Sequence, residues 1–178
     1  MEDRMSVDTI DKGQVESETP EMRAARERMI AASPPPQFFK LRAELVEKGR
    51  TNQVVADTGN MWVNLKVYAG GGENGLHNHT DQDHFHLVLQ GSARFFGPRG
   101  ETKDVGPYEG VMLPSGSFYR FNATSKEPLI LLRVGCKTDP TAEHPRYNIY
   151  GEPLPSDSKE NGQIEVVLRK GEFWGAKA

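Results

Sequence analysis

The sequence predicts an all-β sandwich or barrel preceded by short N-terminal helices, and two kinds of pattern support this fold class. Residues 62–68 alternate between polar or aromatic and aliphatic side chains with a period of two, as in a strand with two distinct faces. Clusters of glycine and proline then break the chain roughly every 8–12 residues, a spacing typical of sandwiches and barrels. These breaks lie at 69–75, 97–101, 106–110 and 114–116.

The first part of the chain has the signals of a disordered segment followed by a helix. Residues 1–18 carry six acids and two bases with few large apolar groups, so we expect them to be disordered. Thr19 and Pro20 have the residue types of an N-cap and a first helical position. A stripe at helical spacing follows and is expected to face the core: Met22, Ala25 and Met29. The prolines after Ser33 end this helix.

A second short helix is predicted over residues 37–49. Phe38, Leu41 and Leu45 would share one face, and Gly49 has the position of a C-terminal cap. The two helices would make up an N-terminal region, residues 19–50, that packs on the barrel. The barrel itself is predicted at residues 51–136.

Strand 84–90 has two faces that are both too apolar for water. His84, His86 and Val88 alternate with Phe85, Leu87 and Leu89. If the histidine face points into a barrel, the other face must be covered by a helix, another sheet or a second subunit. We therefore expect a homodimer, the commonest oligomer.

The rest of the chain is predicted to be a C-terminal extension, residues 137–178. Its first part is rich in Pro, Asp, Ser and Glu, as in a long surface segment. Residues 164–170 are the candidate for a last strand.

Charge and cysteine content exclude several classes of partner. The 178 residues carry a net charge of −3, which argues against nucleic acid and against an anionic membrane surface, since both attract basic patches. No segment approaches 18 consecutive apolar residues, so no membrane span is expected. The one cysteine, Cys136, cannot form an internal disulfide, and a cytoplasmic location is expected.

Four of the five histidines lie within ten positions: His77, His79, His84 and His86. Residues two apart on a strand point to the same side, and the turn at 80–83 would fold one pair back towards the other. Such a hairpin can bring three or four imidazoles to one point. Imidazole is the commonest metal-binding side chain and suits Zn, Cu, Fe and Ni. The pattern therefore predicts a metal site rather than four unrelated packing histidines.

At this point the sequence resembles the cupins over about residues 52–136. The first cupin motif, G-x5-H-x-H-x3–4-E-x6-G, is matched by Gly71, His77, His79, His84 and Gly91, with His84 in place of the usual Glu. The second motif, G-x5-P-x-G-x2-H-x3-N, is degraded. Pro114 and Gly116 match it, Tyr119 replaces its His, Tyr108 replaces its Gly, and Asn122 comes one residue early.

The resemblance implies a cupin-like double-stranded β-helix, or jelly-roll barrel, that holds one metal ion. His77, His79 and His84 would be the ligands. Tyr119 and His86 would be catalytic groups that orient the substrate or stabilise an oxyanion, although a direct ligand role for either residue stays open. Fe(II) is the expected metal, with Zn, Mn, Ni or Cu as alternatives.

The expected function is that of a non-haem Fe(II) dioxygenase, because three-histidine centres among cupins are similar to diketone and thiol dioxygenases. Three neutral imidazoles leave the ion its full +2 charge, which favours a small anionic or chelating substrate, with O2 as co-substrate. Two alternatives stay open. One is a non-redox isomerase, cyclase or hydrolase with Zn or Mn, and the other is a non-catalytic barrel that binds a metal or small ligand.

Overall fold

The computed structural model describes residues 18–71, 73–139, 141 and 146–177, and in these it has one helix and eleven strands. Most of the segment expected to be disordered lies outside the described residues. The elements are α1 (Pro20–Ala32), β1 (Arg42–Asp57), β2 (Met61–Ala69), β3 (His77–His79), β4 (Gln82–Gln90), β5 (Ala93–Phe96), β6 (Thr102–Val105), β7 (Gly110–Leu113), β8 (Arg120–Ala123), β9 (Leu129–Lys137), β10 (Arg146–Asn148) and β11 (Val167–Gly175).

The helix begins where the sequence predicts. The Thr19 side chain accepts a hydrogen bond of 3.3 Å from the Met22 backbone N–H, and Pro20 occupies the first turn. The expectation that Met22, Ala25 and Met29 face the core is wrong, because no residue of α1 is buried. Met22 is 56% exposed and Met29 is 74% exposed, so the apolar stripe lies on the surface of the helix.

The second predicted helix is wrong: residues 42–57 form strand β1. This strand pairs first with β11, through Arg42 to Lys48, and then with β2, from Gly49 onwards. Gly49, expected to cap a helix, has a φ of 84° at the point where the partner changes. Pairing with two strands and burial of Ala43 and Val46 outweigh the helical spacing of the apolar residues.

The strands form three sheets in a jelly-roll-like arrangement, so the all-β class is confirmed. The largest sheet has the order β11-β1-β2-β9-β4-β7. β6-β5-β8 and β10-β3 are the smaller sheets. The last strand, β11, comes from the C-terminal extension and pairs with β1. It begins at Val167, three residues after the start that the sequence predicts. Among the described residues, no helix is long and apolar enough to cross a membrane.

The inner face of the large sheet has an apolar end and a polar end. At the apolar end, Tyr68, Val88, Leu129 and Leu131 pack with the aromatic residues of β5 and β8. The next inward positions along the same strands are polar and buried: Lys66 on β2, Arg133 on β9, and His84 and His86 on β4. The barrel interior is therefore a core at one end and a polar chamber at the other.

Candidate functional site

The four clustered histidines come together in the polar chamber. His77 and His79 lie on β3, His84 and His86 lie on β4, and none is more than 9% exposed. Ring centroids are 5.1 Å apart for His77 and His79, 4.2 Å for His79 and His84, and 6.1 Å for His84 and His86. On β4, the alternation of buried and half-buried residues turns both imidazoles inwards, as the strand pattern predicts.

The loop that carries Pro114 and Gly116 donates hydrogen bonds to the turn that joins the two histidine pairs. The Gly116 N–H donates to the His79 carbonyl at 2.6 Å, and the Ser115 N–H donates to the Asp83 carboxylate at 2.7 Å. One step further, His77 and Tyr119 form a two-residue antiparallel bridge with hydrogen bonds of 3.1 and 2.9 Å. The degraded second motif therefore lies directly against the first.

Tyr119 is buried among the histidine rings. Its ring centroid is 4.7 Å from that of His77, 5.6 Å from that of His86 and 6.4 Å from that of His79. It is 5% exposed. The phenol thus belongs to the same chamber as the histidines.

His77 has the hydrogen bond that orients many metal-binding imidazoles. Its Nδ1 lies 2.7 Å from the Gly75 carbonyl, so Nδ1 carries the proton and donates, and Nε2 keeps its lone pair. That Nε2 atom is buried and has no hydrogen-bond partner in the ranges that the structure describes. A buried acceptor with no donor is costly unless a ligand satisfies it.

His86 lies on the apolar side of the cluster. Its ring packs 6.1 Å from the Phe95 ring and 6.0 Å from the Phe121 ring, measured between centroids. Both of its ring nitrogens are buried without a partner. The structure thus brings together all five residues that the sequence singled out, and His86 packs against the phenylalanine rings.

Arg133 also enters the histidine cluster, and the sequence analysis did not identify it. Its Nη2 atom lies 3.4 Å from His79 Nε2 and 2.9 and 3.1 Å from the two ring nitrogens of His84. A guanidinium only donates, so His79 and His84 accept through lone pairs. The sequence does contain a signal for Arg133, because it is the one arginine in the otherwise apolar segment 129–135. This segment belongs to β9, which faces the barrel interior.

Burial keeps the imidazoles neutral. It lowers the pKa of His77 to about 3 and of His84 to about 2, with cationic neighbours, chiefly Arg146 and Arg133 respectively, acting in the same direction. The pKa values of His79 and His86 are also lowered, again mainly by burial. Neutral imidazole is the form that binds metals.

Two further cations line the chamber and were also missed. Lys66 and Arg146 are each 8% exposed, and Arg146 lies opposite His79 in the β10-β3 pair. Burial, reinforced by the neighbouring arginines, holds the pKa of Lys66 well below its usual range and lowers that of Arg146 to about 10. The sequence signal for Lys66 is the alternation of residues along strand 62–68. Its polar residues face the barrel interior in the structure.

The donor atoms fit a divalent transition metal by type, but not in their present positions. Imidazoles suit such ions, and the lone pair of His77 Nε2 is available. Within the described ranges, however, no three His, Cys, Asp or Glu side chains are arranged to hold a metal ion. Metal binding would require Arg133 to withdraw from His79 and His84.

Residues 64–135 match the model of a family described as the cupin domain. A solved cupin superfamily protein from Desulfitobacterium hafniense is 20% identical, with 53% of this chain and 83% of that chain covered and a TM-score of 0.46. The Cnp3 cupin domain of Schizosaccharomyces pombe is 11% identical, with coverage of 56% and 88% and a TM-score of 0.47. KdgF from Halomonas sp. is 19% identical, with coverage of 53% and 84% and a TM-score of 0.45. A comparison with curated proteins finds no match.

Proposed function

We propose that the protein is a metal-dependent cupin enzyme, on the premise that residues 64–135 match the cupin domain model. The proposed ligands are the imidazoles of His77, His79 and His84, and the proposed ion is Fe(II), with Zn, Mn, Ni or Cu as alternatives. The observation that carries this proposal is His77, whose Nδ1–H donates to the Gly75 carbonyl while its buried Nε2 has no partner.

The ligand set favours an anionic substrate and O2 chemistry. His84 stands where the cupin motif usually has Glu, so the proposed first shell contains no carboxylate. A small anionic or chelating organic molecule would supply the missing negative charge. Fe(II) bound in this set would supply Lewis acidity and redox chemistry with O2. We therefore propose a non-haem dioxygenase.

Tyr119 and His86 are the proposed catalytic groups beside the ligands. The Tyr119 hydroxyl is a hydrogen-bond donor on a ring that packs against His77, so it can orient a bound anion or stabilise negative charge that develops on it. His86, with two unpartnered ring nitrogens, is proposed to position the substrate from the aromatic side of the chamber. The surrounding Phe95 and Phe121 rings exclude water from that side.

Arg133 favours a second candidate, a barrel that binds a small ligand without metal or catalysis. Its guanidinium already satisfies lone pairs of His79 and His84 and puts a positive charge where a cation would bind. A non-redox cupin enzyme, an isomerase, cyclase or hydrolase with Zn or Mn, is the remaining alternative. It differs from the dioxygenase in metal identity and in O2 consumption.

The proposal is tested by the metal content of protein purified without added metal. Elemental analysis should find iron near one equivalent, and His77→Ala, His79→Ala and His84→Ala should each lose it. His86→Ala is the matched control, since it removes a buried imidazole outside the ligand set. Full occupancy in the His84 variant would refute the ligand set and transfer that role to His86.

Metal identity and O2 uptake then separate the candidates. Iron with substrate-dependent O2 uptake supports the dioxygenase. Zinc or manganese with turnover but no O2 uptake supports the non-redox enzyme. A wild-type protein that binds no metal refutes both enzymes and leaves the ligand-binding barrel.

A further inference from the structure

Three buried cations meet at the polar end of the barrel interior. Lys66 lies on β2, Arg133 on the neighbouring strand β9, and Arg146 on β10. In the sheet register Asn64 pairs with Arg133, which puts Lys66 one inward position further along β2. All three side chains are more than nine-tenths buried. We call them the cation cluster.

The cation cluster has no anionic partner in the described part of the chain. Within the residues that the structure describes, Lys66, Arg133 and Arg146 form no ion pair. Arg146 Nη1 and Arg133 Nε are buried, and no hydrogen-bond partner for either lies among the described residues. Burying a charge without a partner is strongly unfavourable, and three like charges together add repulsion. A bound anion would remove both costs.

The cluster lines two adjoining clefts. The first has a volume of about 320 Å³ and a polar lining that includes Lys66, Asn74 and Ser156. The second has a volume of about 290 Å³ and brings His79 together with the apolar side chains of Trp62 and Leu154. Arg133 and Arg146 line both clefts. Volumes near 300 Å³ are at the lower end of the range for small-molecule sites.

The loop that closes the first cleft is held in place by Arg50. This side chain donates to the Ser156 carbonyl at 2.6 Å and to Gln163 Oε1 at 3.0 Å, and it also bonds Asn74 Oδ1. Of the described residues that line this cleft, Asp157 alone has a carboxylate, and it is exposed. The first cleft therefore has a fixed, cationic wall.

We propose that these clefts bind a small organic dianion, a dicarboxylate or a phosphate monoester, with its charged groups on the cation cluster and its carbon skeleton between Trp62 and Leu154. Guanidinium groups bind carboxylates and phosphates through paired N–H donors, and an ammonium adds a compact charge. His79 also lines the second cleft, so the ligand's organic part would lie beside the histidines. The inference rests on the proposed function in one respect only: if the protein is an enzyme, this anion is its substrate.

The test is anion binding to chelator-treated protein at constant ionic strength. Isothermal titration calorimetry and thermal unfolding would use inorganic phosphate, succinate, phthalate and the uncharged succinamide. We expect the dianions to bind and to raise the melting temperature, with phthalate tighter than succinate because of the apolar wall, and no binding of succinamide. Tighter binding of phosphate than of both dicarboxylates would identify a phosphate monoester as the ligand.

Variants connect the binding to the cluster. Arg146→Gln and Lys66→Met should each weaken dianion binding by about tenfold or more. Arg99→Gln is the matched control, since it removes one positive charge from an exposed loop and should leave the affinity unchanged. Lys66→Met should fold at least as stably as the wild type, because it replaces a buried unpaired cation with an apolar side chain of similar length.

The inference is overturned if no dianion binds, if succinamide binds equally well, or if both cluster variants bind like Arg99→Gln. Its failure is separate from that of the proposed enzyme. Protein that contains iron but binds no dianion refutes the inference alone. Protein that binds dianions through the cluster and contains no metal refutes the proposed enzyme alone.

Discussion

Acidification should unfold the metal-free protein, and the buried histidines set the pH range. In an unfolded chain a histidine titrates near pH 6.5. In the folded protein the pKa is about 3 for His77 and about 2 for His84, and it is also lowered for His79 and His86. Only the unfolded chain therefore binds these protons between about pH 6.5 and pH 3. Stability is fully present above this range and is lost as the pH falls through it.

The loss is large compared with the stability of a domain. Each histidine that stays neutral in the folded state removes about 1.4 kcal/mol per pH unit below the unfolded pKa. The two rings with the stated pKa values account for about 3 kcal/mol per pH unit, and all four for about 5. Because domains have only about 5–15 kcal/mol of stability, the protein should unfold between about pH 5 and pH 4.

Urea unfolding in the presence of a chelator, at half-unit steps from pH 7 to pH 5, measures this slope directly. His86→Leu keeps apolar contact with Phe95 and Phe121 and should reduce the slope by about one quarter, the share of one histidine in four. A wild-type slope below about 1.4 kcal/mol per pH unit would refute the reasoning, since it would mean that at most one ring excludes its proton on folding.

Four more outcomes follow from the fold and the site. Tyr119→Phe should keep its metal and its melting temperature while turnover falls by about 10²–10³-fold, measured by elemental analysis, calorimetry and O2 uptake. Arg133→Met should bind metal about tenfold more tightly in a competition titration, because even in water a +2 and a +1 charge about 6 Å apart repel by about 1.4 kcal/mol. Tyr108→Gly should raise the free energy of unfolding by about 1 kcal/mol, because Tyr108 has a φ of 67° and is exposed. Light scattering should give twice the chain mass of 19.9 kDa if the half-exposed face of Phe85 and Leu87 is a dimer interface, and the monomer mass would exclude it.

Turn geometry explains why the cupin motif predicts the barrel so well. The motif glycines Gly71, Gly91 and Gly116 all have positive φ angles. A Cβ on Gly91 would also lie 2.6 Å from Ser125 Oγ, so two constraints act on that one position. Tyr108, which replaces the fourth motif glycine, is the one described non-glycine residue with a positive φ. The chain thus keeps the turn even where it lacks the glycine, and the spacing of the motif survives.

The helix error at residues 37–49 has a physical cause that no local pattern reveals. Three apolar residues at helical spacing are compatible with a helix, but Arg42 to Lys48 pair with β11, more than 115 positions further along the chain. This pairing depends on the C-terminal extension, whose return to the large sheet is not encoded near residue 42. Long-range pairing of this kind outweighs local propensity.

The histidines could be predicted and the cations could not, because only the histidines lie close together in sequence. Lys66 lies 67 positions before Arg133, and Arg146 lies on the next strand along the chain, beyond the β9–β10 connection. Alternation of polar and aliphatic residues, as on strand 62–68, is also the pattern of a strand with one face in solvent. The strand is covered on its other side by Ala43 and Val46, so both of its faces are buried.

Arg133 connects the two proposals, because the same guanidinium faces His79, His84 and both clefts. Without an anion, its Nη2 group donates to the imidazole lone pairs that a metal requires. A dianion on the cation cluster offers those donors a stronger, charged acceptor, which releases the two histidines and offsets the positive charge. Metal and dianion should therefore each strengthen the binding of the other, by the same factor, as linkage requires. Arg133→Met removes the shared group and should abolish that mutual effect, even though metal alone binds it more tightly.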